Sequence, residues 1–335
     1  MGWLYDTNFH IFCEPRKYQS RDGSLSFRES QQAMDEFVLG VMLFSMTVHV
    51  PVLPEECIES LHISPDDTIV DGTFGGGGHS KLILSSLEST GRLIGLDRDP
   101  VVIDKAESWV PENVTMIAAN YADLPEHLDM LGIGSVDGIL LDLGLSSDQL
   151  ADRDRGFSFQ SEGTLDLRFD MTAGEPAFRL VNRLGEKHLA DLIYEFGEEK
   201  LSRRIARKIV NSRHQEPIRT AAELASIVRS CVPRSKKQNI DPATRTFQAL
   251  RIAVNEELKW LKVAMRRLPE RLAVGARIAV ISFHSLEDRI VKTSFVQDES
   301  LKVLTKKPLM ASEQELSDNP RARSAKLRVA EKVAH

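Results

Sequence analysis

Short apolar runs alternate with amphipathic stretches along most of this chain. Ile69-Val70, Arg92-Leu93-Ile94-Gly95-Leu96, Val114-Thr115-Met116-Ile117-Ala118 and Asp137-Gly138-Ile139-Leu140-Leu141 have the length and composition of buried strands. Between them, residues 81–87 and 101–108 repeat apolar side chains at helical spacing. This rhythm predicts a parallel, doubly wound α/β sheet. From about residue 150 to 245 the strand signal disappears, and 186–196, 201–213 and 221–231 read as helices. Residues 247–261 follow as one long helix. Strand character returns over 275–283, then a helix over 286–295, and 301–304 with 326–330 form a closing pair of strands. The expected organisation is an α/β sheet domain, residues 46–149 and 246–335, with an all-helical domain inserted at 150–245.

Residues 1–45 lack any clear period and mix Trp3, Phe9, Phe12 and Tyr18 with polar residues. They are expected to be a translated leader ahead of a start at Met46, or a poorly ordered tail. The three cysteines, Cys13, Cys57 and Cys231, are widely spaced and show no metal-like pairing. That suits a reducing cytosol rather than a disulfide framework, and no metal is expected. No apolar stretch is long enough to cross a membrane, so a cytoplasmic location is expected. The net charge of −6 is unevenly spread. Between Lys200 and Arg251 basic residues far outnumber the acids, which are Glu216, Glu223 and Asp241. Arg203, Arg204, Arg207 and Lys208 cluster on one predicted helix, and Arg245 and Arg251 follow. A basic region in an acidic chain is the footprint of a polyanion partner such as RNA, with solvated helix faces as the plain alternative.

The segment Asp71-Gly72-Thr73-Phe74-Gly75-Gly76-Gly77-Gly78-His79-Ser80 joins the first strand to the following helix. A strand, a glycine turn and a helix start form the nucleotide corner of a doubly wound sheet. Glycines admit a ligand close to the backbone, and the free amides of the helix start favour an anionic group. Asp97 ends the second strand about 20 residues on, where an acid meets a ribose. The dinucleotide fingerprint itself fails, because Ser80 stands where its third glycine belongs. Asp71 suits a ligand carrying an amine and a sulfonium better than one carrying a pyrophosphate, and S-adenosylmethionine is such a ligand.

Further candidates lie at other strand ends. Tyr121 follows the third strand and suits an adenine ring, or is simply an amphipathic residue at a sheet edge. Asp142 ends the fourth strand, where a methyl acceptor would react, or is a helix cap. His284 follows the fifth strand within Ser282-Phe283-His284-Ser285-Leu286-Glu287-Asp288-Arg289. Arg155-Gly156-Phe157-Ser158-Phe159 with Leu165-Asp166-Leu167-Arg168-Phe169-Asp170 suggests a structured loop over the site.

These motifs, with His49-Val50-Pro51-Val52-Leu53, Ser146-Ser147, Gln149, Pro242 to Arg251 and Asn319-Pro320-Arg321-Ala322-Arg323-Ser324-Ala325, closely resemble the bacterial ribosomal small-subunit RNA (cytosine-N4)-methyltransferase family. The resemblance runs colinearly from about His49 to Val333. It implies a class I, Rossmann-like, S-adenosylmethionine-dependent methyltransferase whose helical insertion helps to bind RNA. The implied substrate is the N4 amine of a decoding-centre cytosine in 16S ribosomal RNA, free or in an assembled small subunit. Carried over by position, the cofactor residues are Gly77, Gly78, His79, Asp97, Tyr121, Asp142 and Gln149. Tyr121 departs from the Phe of some relatives and keeps a stacking ring. Leu165 to Asp170 departs from the methionines usual there, a roughly volume-conserving change. Asp142 is the first candidate to accept an N4 hydrogen and His284 the second, with catalysis by positioning alone as the alternative. Two other readings stay open. A DNA amino-methyltransferase would carry a proline pair where Asp142-Leu143-Gly144-Leu145 stands, and a non-catalytic assembly factor would not need the intact glycine turn.

Overall fold

The computed structural model describes residues 50–159, 162–232 and 241–334. The reading of residues 1–45, and the part of the basic region over 233–240, lie outside the described residues.

The chain enters through helix α1 (Pro54–Leu61) and then builds β1 (Thr68–Asp71), α2 (Gly78–Ser86), β2 (Arg92–Asp97), α3 (Pro100–Glu107), β3 (Val114–Ala118), α4 (Leu124–Met130) and β4 (Val136–Asp142). After the short α5 (Ser147–Ala151) come the helices α6 (Ala177–Arg183), α7 (Glu186–Gly197), α8 (Ser202–Arg213), α9 (Ala221–Cys231), α10 (Thr244–Asn255) and α11 (Glu257–Arg267). The sheet resumes with β5 (Leu272–Ser282), followed by α12 (Ser285–Gln297), β6 (Leu301–Val303), α13 (Glu313–Asp318) and β7 (Lys326–Lys332).

The strands form one sheet in the order β3-β2-β1-β4-β5-β7-β6. β1 to β5 run parallel, while β7 is antiparallel to both β5 and β6. All the strands read from the sequence are present, and the α/β sheet with inserted helices is as the periodicity predicts. Alternate residues feed opposite faces. Ile69, Leu93, Leu140 and Ile281 pack with Cys57, Leu61 and Ile83 on one side. Val70, Ile94, Leu141 and Val280 pack with Leu128, Leu261 and Val291 on the other. Burial of both faces is why these strands read as continuous apolar runs instead of alternating ones. Leu141 is fully buried, and truncating such a residue to alanine typically costs about 2–5 kcal/mol. The inserted helices have their own hydrophobic centre, including Leu189, Ile193, Ile205, Ile209, Leu224 and Val228, and α10 joins it through Phe247 and Leu250, so the boundary expected at 246 falls within that core.

One helix departs from expectation. The stretch read as a single helix over 247–261 is broken between α10 and α11 by Glu256, which sits in the left-handed region at φ 51°. Apolar periodicity continues across the break, so the sequence hid it. Asn255 explains the stop: its side chain donates to the Leu167 carbonyl at 2.7 Å and accepts the Phe169 amide at 2.8 Å. The break lets Glu257 turn back onto Arg251.

The sheet order reverses between β1 and β4, leaving a crevice beyond their carboxyl ends.

Candidate active site

That crevice holds a cavity that opens to solvent. Its wall includes Gly75, Gly78, His79, Asp97, Tyr121, Asp142 and Gln149. Six of the seven cofactor residues read by position thus meet in one place, but Gly77 does not join them. Gly77 sits at φ 72°, and a Cβ there would lie 2.8 Å from the Trp109 ring. It shapes the turn and leaves Gly78 and His79 to face the cavity.

Asp71 also works behind the wall. It is buried, accepting the Thr73 amide at 3.1 Å and the Ser80 hydroxyl at 2.7 Å, so it staples the turn to the first turn of α2. The structure therefore corrects its sequence reading as a direct ligand contact: Asp71 is buried behind the wall and does not line the cavity. Asp97 does face the cavity. Its two oxygens accept the amides of Gly75 and Asp99, each at 2.9 Å. Withdrawal from water pushes its carboxyl up to about 6, against the pull of those two amides. Tyr121 opens a short 3₁₀ turn (Tyr121–Asp123) capped by Asn120. Burial raises its phenol, helped by the charges of Glu257 and Glu287. Gln149 closes a reciprocal cap with Ser146, each backbone amide donating to the other's side chain at 3.1 Å.

Asp142 is the most exposed to chemistry. Its amide donates to Thr73 Oγ1 at 2.6 Å, and its Oδ1 is buried with no hydrogen-bond partner among the described residues. An orphaned carboxylate oxygen in a cavity wall is a strong acceptor waiting for a donor. Oδ2 lies 3.6 Å from His79 Nδ1, at ion-pair rather than hydrogen-bond distance. His79 Nε2 lies 2.8 Å from the Val52 carbonyl. A carbonyl only accepts, so that nitrogen carries the proton and Nδ1 faces Asp142. Burial pushes Asp142 up to about 6, opposed by His79 and Arg321 and assisted by Asp71 and Glu287.

The loop expected over the site supplies a further wall, while two acids escaped the sequence reading. Phe169 reaches the cavity from the loop ahead of the inserted helices, together with Glu257 and Glu287. The loop is clamped at several points. Arg155 pairs with Asp99 and donates to the Arg168 carbonyl at 2.9 Å, while Asn255 holds Leu167 and Phe169. The two acids were masked for different reasons: Glu257 looked like the interior of one long helix, and Glu287 lay inside the motif from which only His284 was singled out.

His284 itself is corrected. It caps α12, its Nδ1 accepting the Glu287 amide at 3.4 Å, and it does not line the cavity. Glu287 returns the favour by accepting the amides of Phe283 at 3.0 Å and His284 at 3.4 Å. Arg251 is corrected too. Its side chain is only 13% exposed and holds both oxygens of Glu257, at 2.9 and 3.0 Å, so it is not available to phosphates. Ligand atoms of Glu257, His284 and Glu287 lie within 4.8 Å of one another, as metal ligands would. Arg251 already supplies the positive charge there, and the donor set reads as an ion-pair network.

The basic helix α8 presents Arg203, Arg204, Arg207 and Lys208 to solvent while Ile205, Ala206 and Ile209 are buried. Arg207 makes an exposed ion pair with Glu186 at 3.2 Å, and Arg245 is exposed beside Glu199 at 3.8 Å.

A sequence model described as the MraW methylase family matches residues 46–333. A protein of Rhodopirellula baltica named "Ribosomal RNA small subunit methyltransferase H" is 49% identical over 299 residues, covering 86% of this chain and 92% of that protein. The protein of the same name from Deinococcus deserti is 49% identical over 286 residues, covering 85% and 94%. That from Nitrosospira multiformis is 45% identical, covering 85% and 97%.

Proposed function

Because the chain belongs to the MraW methylase family, we propose that its cavity serves methylation, by S-adenosylmethionine, of the N4 amine of a decoding-centre cytosine in 16S ribosomal RNA. The observation that carries the reading is the unpartnered Oδ1 of Asp142, set in the wall of a cavity that also offers a glycine turn and a strand-end acid.

The residues fit the cofactor. Asp97 suits the ribose hydroxyls, and Tyr121 with Phe169 offers rings to the adenine. Gly78 and His79 bring helix-start amides to a carboxylate, and Gln149 adds an amide at the opposite wall. When bound, S-adenosylmethionine supplies an electrophilic methyl whose passage to N4 leaves the electron pair on sulfur and sets one N4 proton free. Asp142 Oδ1 accepts that hydrogen, which draws density toward a nitrogen otherwise delocalised into the ring. His79, held by Val52, steadies the carboxylate as it gains the proton. The walls exclude water and hold the amine in line, and this positioning supplies much of the rate. The target base must leave its stack to enter, which is easiest in flexible or partly unpaired RNA.

Exposed Arg203, Arg204, Arg207, Lys208 and Arg245 are proposed to meet RNA phosphates, and the enzyme is proposed to act in the cytoplasm. A DNA substrate is disfavoured by Asp142-Leu143-Gly144-Leu145, which lacks a proline pair. The test is radiolabelled methyl transfer to small subunits lacking the modification, followed by nucleoside analysis. N4-methylcytosine at one site is the expected product; label on another nucleoside, or none, refutes the proposal.

A further inference from the structure

Two carboxylates stand at neighbouring strand ends in the cavity wall, and the methyl-transfer step uses only one. Asp142 pairs in register with Ile281 across β4 and β5, and Leu143 donates to the Ile281 carbonyl at 3.0 Å. Just beyond β5, the carboxylate of Glu287 caps the Phe283 amide at 3.0 Å. Both side chains therefore line the cavity from adjacent positions on the sheet's carboxyl edge.

Glu287 is not an ordinary cap. It is 2% exposed, yet its carboxyl is held below the usual range: burial opposes ionisation, and His284 with Arg251 outweighs it. It also keeps capacity to accept. The neighbouring Glu257 has both oxygens engaged by Arg251. Glu287 Oε2 caps amides, whereas Oε1 has His284 Nε2 at 3.2 Å, and that nitrogen makes no hydrogen bond among the described residues. A carboxylate oxygen has two lone pairs, so Oε1 can accept a second donor from a ligand beside His284.

We infer that Glu287 holds the exocyclic amine of the target base, so that the pocket selects an amino group over a keto group at that ring position. The inference rests on the cytosine-N4 reading of the site. A primary amine carries two hydrogens. Asp142 receives the one that leaves, and Glu287 holds the one that stays. Uracil places a bare acceptor oxygen at the same position. Against a fixed carboxylate that oxygen is repelled, which is how a polar site rejects a near-isostere.

The test measures binding of ribosomal RNA fragments carrying cytosine or uracil at the target position, in the presence of S-adenosylhomocysteine, to the parent and to Glu287→Gln. The parent should favour cytosine by about 10- to 100-fold, the scale of a hydrogen bond to a charged group. Glutamine keeps an oxygen for the helix cap and offers an amide hydrogen to a keto oxygen, so the preference should shrink to within about threefold. Cofactor affinity, measured by calorimetry, should stay within about twofold, as the turn and Asp97 are untouched. A parent without preference, or a folded variant that keeps the parent's preference, overturns the inference. If Glu287→Gln does not bind cofactor, Glu287→Asp keeps the charge beside Arg251 and His284 but withdraws it by a methylene. Its preference should fall at least about threefold, and an unchanged preference overturns the inference. Failure of the underlying reading shows itself separately, as a parent that leaves cytosine unmethylated.

Discussion

Replacing Asp97 by alanine should separate cofactor affinity from stability. In the folded chain its carboxylate accepts the Gly75 and Asp99 amides at 2.9 Å each. Alanine strands both, a loss of about 1–3 kcal/mol apiece. Opposing this, the carboxyl titrates near 6 even with both amides in place, so its charge is held at a desolvation cost that alanine relieves. The difference leaves a destabilisation smaller than the two stranded amides alone would cause, a modest drop in Tm for a chain of this size. On the ligand side, loss of ribose hydroxyls bound to a charged acceptor should cost about 1–3 kcal/mol, a Kd weaker by about 5- to 150-fold. Calorimetry with S-adenosylmethionine, beside a thermal melt, reads both effects. A folded variant with the parent's Kd would refute the ribose contact. A Tm collapse large enough to account for the whole affinity loss would refute the cancellation.

The carboxyl of Asp142 sets a pH dependence. Protonation as pH falls through about 6 removes the acceptor, so kcat should drop on that limb. Asp142→Asn should lower kcat by about 100-fold and abolish the limb; a variant that keeps it places the titrating group elsewhere. For the unliganded chain the sign is opposite. Folded pKa values above the unfolded ones mean that Asp97 and Asp142 contribute stability that grows as pH falls from about 6 toward 4, readable by denaturant unfolding. Neutralising Arg203, Arg204, Arg207 and Lys208 together should reduce the slope of log K against log salt for RNA binding by up to about 3, with cofactor affinity unchanged; an unaltered slope would remove α8 from the RNA interface. Gly77→Ala should destabilise by about 1–3 kcal/mol, from the left-handed backbone and the Trp109 contact, and a melt unchanged from the parent would contradict the turn geometry.

The sheet was legible because its strands are buried on both faces and its helices are not, so period and composition separate them cleanly. The cavity wall was legible because ligand crevices of such sheets lie beyond strand ends: Asp97, Tyr121 and Asp142 each follow an apolar run. What stayed hidden depends on contacts distant in sequence. Asn255 ends a helix because Leu167 and Phe169 are there to receive it, and nothing in the local pattern reports that. Arg251 counted as a surface charge until Glu257 turned back onto it. His284 drew attention as the residue type of proton transfer, while the acid three positions on faces the cavity. Charge counted along the chain identifies a basic region but not which of its members are already neutralised.

Phe169 belongs to the loop leading into the inserted helices, yet it forms part of the cavity wall. Its position is set by Asn255 on one side and by Arg155, braced on Asp99, on the other. If the insertion meets RNA and the cavity holds S-adenosylmethionine, as proposed, the two sites share this loop. Linkage then requires reciprocity: if seating RNA tightens the grip on S-adenosylmethionine, a filled pocket must tighten the grip on RNA by the same factor. Exchanging the methyl donor for its demethylated product changes the charge in that pocket, so under such a coupling methylation would alter how firmly the RNA is held.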